Sequence, residues 1–413
     1  MGSMANLTEP RLACESRPRI CARMKVAIVH PTTWPQVRRG TERFMNELAA
    51  FLARRGHQPK IVSSRPGGRE IRTEGGFVTD QHRSLWYPWM ARLGIHPFHV
   101  FPLTTLGALV RERFDVVHCF NFTDACAASA ARRVNGVRIL LHLAAIPPPS
   151  GYRRSVSTGG AVFRHAVKAS DAVLTNGDFQ AGYFEERFGR RPMVIKAPVD
   201  TNRFRPGRAD NRDRPIILNA SALDERRKGG RFLMRAFDCL KRQLPTAELH
   251  ICSAVPDRLK AELLAAVSPE WRQDVVFKTL DDQGLARAYA AASVLVLPSV
   301  WEAFPLVILE SLASGTPVVG TRSGGIPELI SSGAVGRTFD PGSLETAEPT
   351  NIDGMVEAIL GALEISRLPE TASRCREVAE RFGWNVLGPQ YEALYDDLRC
   401  RRNPGPCMGA RIR

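Results

Sequence analysis

Long apolar runs are missing. The longest mostly apolar stretch, 100–110, is interrupted by Pro102 and two threonines. It falls far short of the roughly 20 residues a spanning helix needs, so no segment is expected to cross a membrane. The nine cysteines stand apart, at 14, 21, 119, 126, 239, 252, 375, 400 and 407, with no C-x-x-C pair and no Cys/His metal spacing. That excludes a disulfide scaffold and a zinc module and points to the cytoplasm. No G-x-G-x-x-G follows the apolar run 26–30, which sets aside a dehydrogenase. No Asp-x-Asp triplet sits at a strand end where it would hold a divalent cation, so no metal site is expected. No repeat of 20–50 residues is visible.

What is present is a chain of 413 residues, 44% hydrophobic, long enough for two α/β domains with sizeable cores. Lys and Arg number 57 against 42 Asp and Glu, a net charge of +15. Such a balance favours an anionic partner: a phosphate-bearing ligand, an acidic membrane surface or nucleic acid. The basic residues are scattered and no nucleic-acid motif accompanies them, which argues against the last. Residues 1–23 are polar and Arg-rich, lack the apolar stretch of a signal peptide and are left outside the fold as a disordered extension; Met24-Lys25-Val26-Ala27-Ile28-Val29-His30 reads as the first strand.

Strand-like runs then alternate with amphipathic stretches: 25–30 and 41–55, then 58–63, 116–120, 138–143, 172–175 and 193–196. This predicts βαβ units on a parallel sheet. A polar, Pro-containing segment, 204–215, interrupts, and a second alternation follows at 216–220, 248–252, 275–277, 294–297 and 317–320. Two doubly wound domains and a linker fit this pattern. Helical patterns at 375–382 and 389–400 follow, and 401–413, rich in Pro, Gly and Arg, is expected to be a disordered tail.

The most informative stretch is 297–319, which reads as strand, turn, helix, Gly stop, strand. A helix starting near Pro305 offers free N–H groups and the positive end of its dipole to a phosphate. Glu302 precedes it and Glu310 lies inside it, eight residues on; carboxylates accept hydrogen bonds from vicinal sugar hydroxyls. Taken alone, the two could equally be a loop Glu and a helix-surface Glu. Ahead of them, Arg226-Arg227-Lys228-Gly229-Gly230 follows the second domain's first strand. Further elements are Arg38-Arg39-Gly40-Thr41-Glu42 between strand and helix, Thr321-Arg322-Ser323-Gly324-Gly325-Ile326-Pro327-Glu328, and His142, which would point from a strand end into the crevice before Pro147-Pro148-Pro149.

Taken together, these residues resemble the family 4 retaining glycosyltransferases, whose hallmark is Glu, seven residues, Glu. The resemblance runs from about Met24 to Tyr395. It implies the GT-B architecture: two Rossmann-like doubly wound domains facing across a cleft, 24–205 for the acceptor and 206–380 for the nucleotide sugar, with a helix at 381–400 crossing back to the first. It implies Glu302 on the donor sugar's hydroxyls, Glu310 on the ribose, the N–H groups of Leu306 and Val307 on the distal phosphate, and Lys228 with Arg226 or Arg227 on the diphosphate. Phe304 and Gly40 would line the donor, His142 would stand near its sugar, and Gly324-Gly325 with Glu328 would lie at the nucleotide end of the cleft. His118 is read as structural. The chain departs from the family at Pro305, Arg39, Lys196-Ala197 and Ala222-Leu223, where the family has Gly, Gly, Asn-Gly and an Arg.

The resemblance thus implies a cytoplasmic retaining hexosyltransferase, on the membrane's inner face or free of it, moving a hexose or N-acetylhexosamine from a nucleoside-diphosphate sugar, with UDP the default base, to a small metabolite or lipid-linked acceptor. Neither cofactor nor metal is expected. The aromatic stretch 85–101 suits a sugar, an apolar acceptor, a bilayer or simple core packing, and Arg38, Arg39, Arg43, Arg54 and Arg55 would face acidic lipid. A nucleotide-sugar isomerase or phosphorylase, and a non-catalytic nucleotide-binding module, are the alternatives.

Overall fold

The computed structural model describes residues 23–146, 160–207, 213–343 and 349–400. The 1–22 part of the extension, the Pro147–Pro149 turn, the linker's centre and the 401–413 tail lie outside the described residues.

Two sheets organise the chain. The first has the order β3-β4-β2-β1-β5-β6-β7-β8 and the second β11-β10-β9-β12-β13-β14. In the first, β1 is Lys25–Val29, β2 Gln58–Arg65, β3 Glu70–Glu74, β4 Phe77–Arg83, β5 Val116–Cys119, β6 Arg138–His142, β7 Ala172–Thr175 and β8 Met193–Val194. In the second, β9 is Ile216–Asn219, β10 Glu248–Ile251, β11 Val275–Phe277, β12 Val294–Leu297, β13 Val318–Thr321 and β14 Gly336–Phe339. All neighbours are parallel except β3 and β4. The central strands β1, β5, β6, β9 and β12 are almost wholly buried, as strands covered by helices on both faces must be.

Each strand order reverses beside its first strand: β1 lies between β2 and β5, and β9 between β10 and β12. Open α/β sheets bind ligands at that switch point, outside the carboxyl ends of the strands. The β3–β4 hairpin is an addition that the apolar pattern does not show; its signal is Gly75-Gly76, both at positive φ, a pair suited to a two-residue turn.

Helix Trp384–Cys400 lies on the first domain. Trp384 stacks on Phe44 and Phe51, Glu392 takes Arg55 and His57, and Tyr395 reaches His118. The aromatic stretch forms a 3-10 helix, Pro88–Leu93, with no buried residue, then helix Pro97–Arg111, which buries Phe101, Thr105 and Leu109.

Candidate functional site

The two switch points face a cavity of about 760 Å³ lined from both domains. The first domain supplies the 34–41 loop, Arg43, Phe44, Phe120, Asn176 and neighbours; the second supplies Ser221, Arg227, Lys228, the 301–307 turn and Glu310. Gly40, Arg227, Lys228, Glu302, Phe304, Leu306, Val307 and Glu310 therefore share one lining.

Pro305 is the N-cap of helix Leu306–Ala313. A proline just ahead of the helix removes no bonded N–H, so the N–H groups offered at the mouth are those of Leu306 and Val307. Across the cleft, a Cβ on Gly40 would stand 3.8 Å from Leu306 Cδ1, so the two domains nearly touch there.

Glu302 is 8% exposed. Lys228 Nζ donates to its Oε1 at 2.6 Å, and Arg227 lies 3.3 Å from its Oε2. Burial pushes the Glu302 carboxyl up, but the two cations outweigh it and hold the group below its ordinary value. The cations reach Glu302 because 3-10 turn Arg226–Lys228 ends in Gly229 at φ +69, where a Cβ would come 2.8 Å from the Pro298 carbonyl oxygen. Only glycine brings the turn this close to the loop after β12. Arg226 is exposed and outside the lining, so of the Arg226/Arg227 pair it is Arg227 that faces the cavity.

Glu310 is held by two groups: Tyr289 donates its hydroxyl at 2.8 Å and Arg43, from helix Gly40–Arg54, donates at 2.7 Å. Arg43 also lies 3.5 Å from Asp282 and over the Trp34 ring. Burial lowers the Arg43 guanidinium's affinity for its proton, but Glu310 and the other surrounding groups more than compensate and raise it. Of the five arginines expected to face acidic lipid, Arg38, Arg39, Arg54 and Arg55 are exposed, whereas Arg43 is turned into the cleft. Arg43 is paired inside the cleft, Arg38 donates to the Leu280 carbonyl, and Arg55 pairs with Glu392.

His142 also needs correction. It is fully buried at the end of β6 and does not line the cavity. Tyr395 Oη lies 2.7 Å from His118 Nδ1, His118 Nε2 3.1 Å from His142 Nδ1, and His142 Nε2 2.9 Å from Asn176 Oδ1. With both rings neutral and His142 Nε2 donating to the Asn176 amide oxygen, His118 Nε2 donates to His142 Nδ1 and Tyr395 donates its hydroxyl to His118 Nδ1. Burial drives His118 well below its ordinary value and His142 down to about 4, against the small raising effect of Asn176. The group that meets the cavity is Asn176; a hydrophobic run ending in His cannot show which side of the sheet its last side chain takes.

The Gly324-Gly325 turn does not line the cavity either. Gly325 N donates to the Glu302 carbonyl oxygen at 2.8 Å, and a Cβ on Gly324 or Gly325 would overlap the carbonyl oxygen of Glu302 or Ala303. It buttresses the Glu302 loop, which holds Trp301 at φ +60. Tyr289, Asn176 and Trp301 have no role in the sequence pattern, Lys196 stands out there only as a departure from the family, and Arg43 is expected on lipid rather than in the cleft. Arg43 alone carried a signal, standing three residues into the helix from Gly40 and so on its cleft-facing side.

Residues 38–203 match the family described as Glycosyltransferase Family 4, and residues 214–364 that described as Glycosyl transferases group 1. The D-inositol 3-phosphate glycosyltransferase 2 of Catenulispora acidiphila is 29% identical over 59% of this chain and 61% of its own length. The chain thus spans about three fifths of that relative. The phosphatidyl-myo-inositol mannosyltransferase of Propionibacterium freudenreichii is 24% identical over 90% of this chain and 94% of its own. Among solved structures, sucrose-phosphate synthase of Thermosynechococcus elongatus superposes with a TM-score of 0.75 at 18% identity, covering 92% of this chain and all of that one.

Proposed function

The chain belongs to the family 4, group 1 glycosyltransferases, and we propose that it moves a sugar from a nucleoside-diphosphate donor, bound in the interdomain cavity, to a hydroxyl. The observation that carries this reading is the partly buried Lys228–Glu302 contact of 2.6 Å in the lining shared with Leu306 and Val307. A diphosphate leaving group needs cationic and N–H partners for the charge it gains; Lys228, Arg227 and the two N–H groups supply them without a metal. Glu302 meets the sugar's hydroxyls and Glu310 the ribose. Attack comes from the face the phosphate leaves: the acceptor oxygen bonds to the anomeric carbon, the carbon–phosphate oxygen bond breaks, and the departing oxygen takes the acceptor's proton. The configuration is retained, and UDP is the base to try first.

The acceptor is read as lipid-linked. From Arg83 to Arg111 no acidic residue occurs, and Leu85, Tyr87, Trp89, Leu93 and Leu103 are exposed, Leu93 by 67%. An apolar, aromatic and cationic surface of this kind suits the headgroup region of an anionic bilayer, and the mannosyltransferase relative is named for a phosphatidylinositol acceptor. Among the described residues no helix is long and apolar enough to cross a membrane.

Thermal unfolding with UDP, GDP, ADP and dTDP, each free and sugar-bearing, tests the donor; a ligand at 100 times its Kd stabilises by about 2.7 kcal/mol. One base is expected to raise Tm, with the shift lost in Lys228→Ala and unchanged by EDTA. No shift with any of them refutes the donor reading; conversion of the sugar with the nucleotide still attached favours an isomerase, and sugar transfer to phosphate rather than to a hydroxyl favours a phosphorylase. Sedimentation with phosphatidylglycerol vesicles but not phosphatidylcholine vesicles, abolished in Trp89→Ser/Leu93→Ser, tests the lipid surface; a small-metabolite acceptor predicts no sedimentation with either.

A further inference from the structure

The segment Ser323-Gly324-Gly325-Ile326-Pro327-Glu328 holds the Glu302 loop at one end and the first domain at the other. At its start, Ser323 Oγ accepts the Trp301 N–H at 3.2 Å and Gly325 bonds the Glu302 carbonyl. At its end, Glu328 Oε1 accepts the Phe179 N–H at 2.7 Å and Oε2 the Asp178 N–H at 3.1 Å. These are the first free N–H groups of helix Asp178–Phe188 in the first domain, whose N-cap, Gly177, provides no side-chain cap. A carboxylate of one domain thus caps a helix of the other, where the helix dipole favours it. Lys196, just after β8 in the first domain, bonds the same carboxylate and Asp178 Oδ2. The Phe179 ring lies 6.4 Å from that of Trp301, and Ala303 is buried in the first domain's hydrophobic cluster. The fit at Gly177 is tight: a Cβ there would stand 3.2 Å from Glu328 and 3.4 Å from the Ala303 carbonyl oxygen.

We propose that Glu328 is a positioning residue that makes assembly of the donor-sugar site conditional on domain closure, an inference that rests on the glycosyl-transfer reading above. Trp301 sits in the left-handed region, where a side-chain-bearing residue is disfavoured and persists only when its surroundings impose it. The first domain is part of those surroundings, through Phe179 and through Glu328. With the domains apart, the Lys228 turn and the helix at Leu306 still offer their groups to a diphosphate, but the loop that presents Glu302 loses the contacts that reach it from the first domain. The sugar-dependent share of binding and the turnover therefore arise on closure, and free nucleotide binds without it.

The test uses the full chain, Glu328→Gln and Glu328→Ala, with UDP and UDP-glucose as probes, or GDP and GDP-mannose if the wild type prefers guanine. Calorimetry, donor turnover to water and amide hydrogen exchange are measured. The expected result is a Kd for the free nucleotide within about twofold of wild type, loss of the tightening that the sugar confers, and turnover lower by about 100-fold in Glu328→Ala, the scale of a misplaced catalytic group. Glu328→Gln, which still accepts from Phe179, falls between. Exchange speeds up at 178–179 and also at 300–303. A nucleotide Kd that weakens in step with turnover, or exchange that rises at 178–179 alone with turnover intact, overturns the proposal. If Glu328→Ala does not fold, Lys196→Met and Phe179→Ala must show the same sugar-specific loss, and wild-type behaviour in both overturns it. A wild type that binds no nucleotide sugar refutes the glycosyl-transfer reading instead; the exchange measurement then still decides whether Glu328 couples the two segments.

Discussion

Glu302 and Glu310 are both buried carboxylates, and each is matched by a cation that the other does not share. Lys228 and Arg227 serve Glu302, while Arg43 with the Tyr289 hydroxyl serves Glu310. Removing one partner of a buried pair leaves the other uncompensated, so conservative substitutions separate function from folding. Lys228→Met is expected to lower turnover by about 10²–10³-fold, the scale for loss of one transition-state donor, while Arg227 keeps Glu302 partnered and the fold intact; steady-state kinetics with a Tm measurement checks this. Glu302→Gln keeps the shape and the cations, so free nucleotide binds as before while discrimination among sugars is lost, as parallel titrations with UDP and UDP-sugars would show.

At the scale of elements, short turns set the geometry and glycines set the turns. Gly229 lets the Lys228 turn lie on the strand β12 loop, and Gly324 with Gly325 lets the next strand's loop lie beneath Glu302. Gly324 is at φ +64 and has the Glu302 backbone against it. Gly324→Ala therefore meets both a conformational and a steric penalty, and a loss of donor turnover is expected together with a stability loss of about 1–3 kcal/mol, read from denaturant unfolding. The β5, β6 and C-terminal helix contact is a second such unit, because Tyr395, His118, His142 and Asn176 form one chain of hydrogen bonds. His142 titrates near 4 when folded, against an ordinary 6.5. A depressed histidine favours the native state above its unfolded value and loses that contribution as pH falls toward the folded one. Acidification from pH 7 to 4 is thus expected to remove roughly 3 kcal/mol through this group. Tm measured against pH, with a shallower slope in His142→Gln, is the check.

For the whole molecule the question is what holds the domains together without a ligand. Arg43 to Glu310, Arg38 to the Leu280 carbonyl and Glu328 to the helix at Asp178 all cross the cleft, and Phe204, Tyr289 and Arg43 pack beside the linker. A charge-assisted bond is worth about 1.5–3 kcal/mol, enough to shift an open–closed balance by roughly tenfold or more. Arg43→Ala is expected to enlarge the radius of gyration of the free protein, with nucleotide sugar drawing it back. Small-angle scattering measures both states, and an unchanged radius would show that Arg43 does not hold the cleft.

How far the sequence reaches can be judged from particular residues. The alternation of apolar strands and amphipathic helices determined the class and the two parallel sheets, because periodicity is a local property. The Glu302/Glu310 spacing, the Lys228-Gly229 turn and the helix at Leu306 are equally local, and they share one cavity lining. The partners of those groups were not legible. Arg43 lies 267 residues from Glu310, Phe179 lies 149 from Glu328, and Tyr395 lies 277 from His118. Whether His142 faces the cleft or the core depends on the side of the sheet that helix Trp384–Cys400 covers. The sequence by itself determined the fold class and the local elements that carry Lys228, Glu302, Leu306 and Glu310. The tertiary structure alone decided which charge each one meets and which side chains reach the cavity, since both depend on surfaces that come together only when distant segments pack.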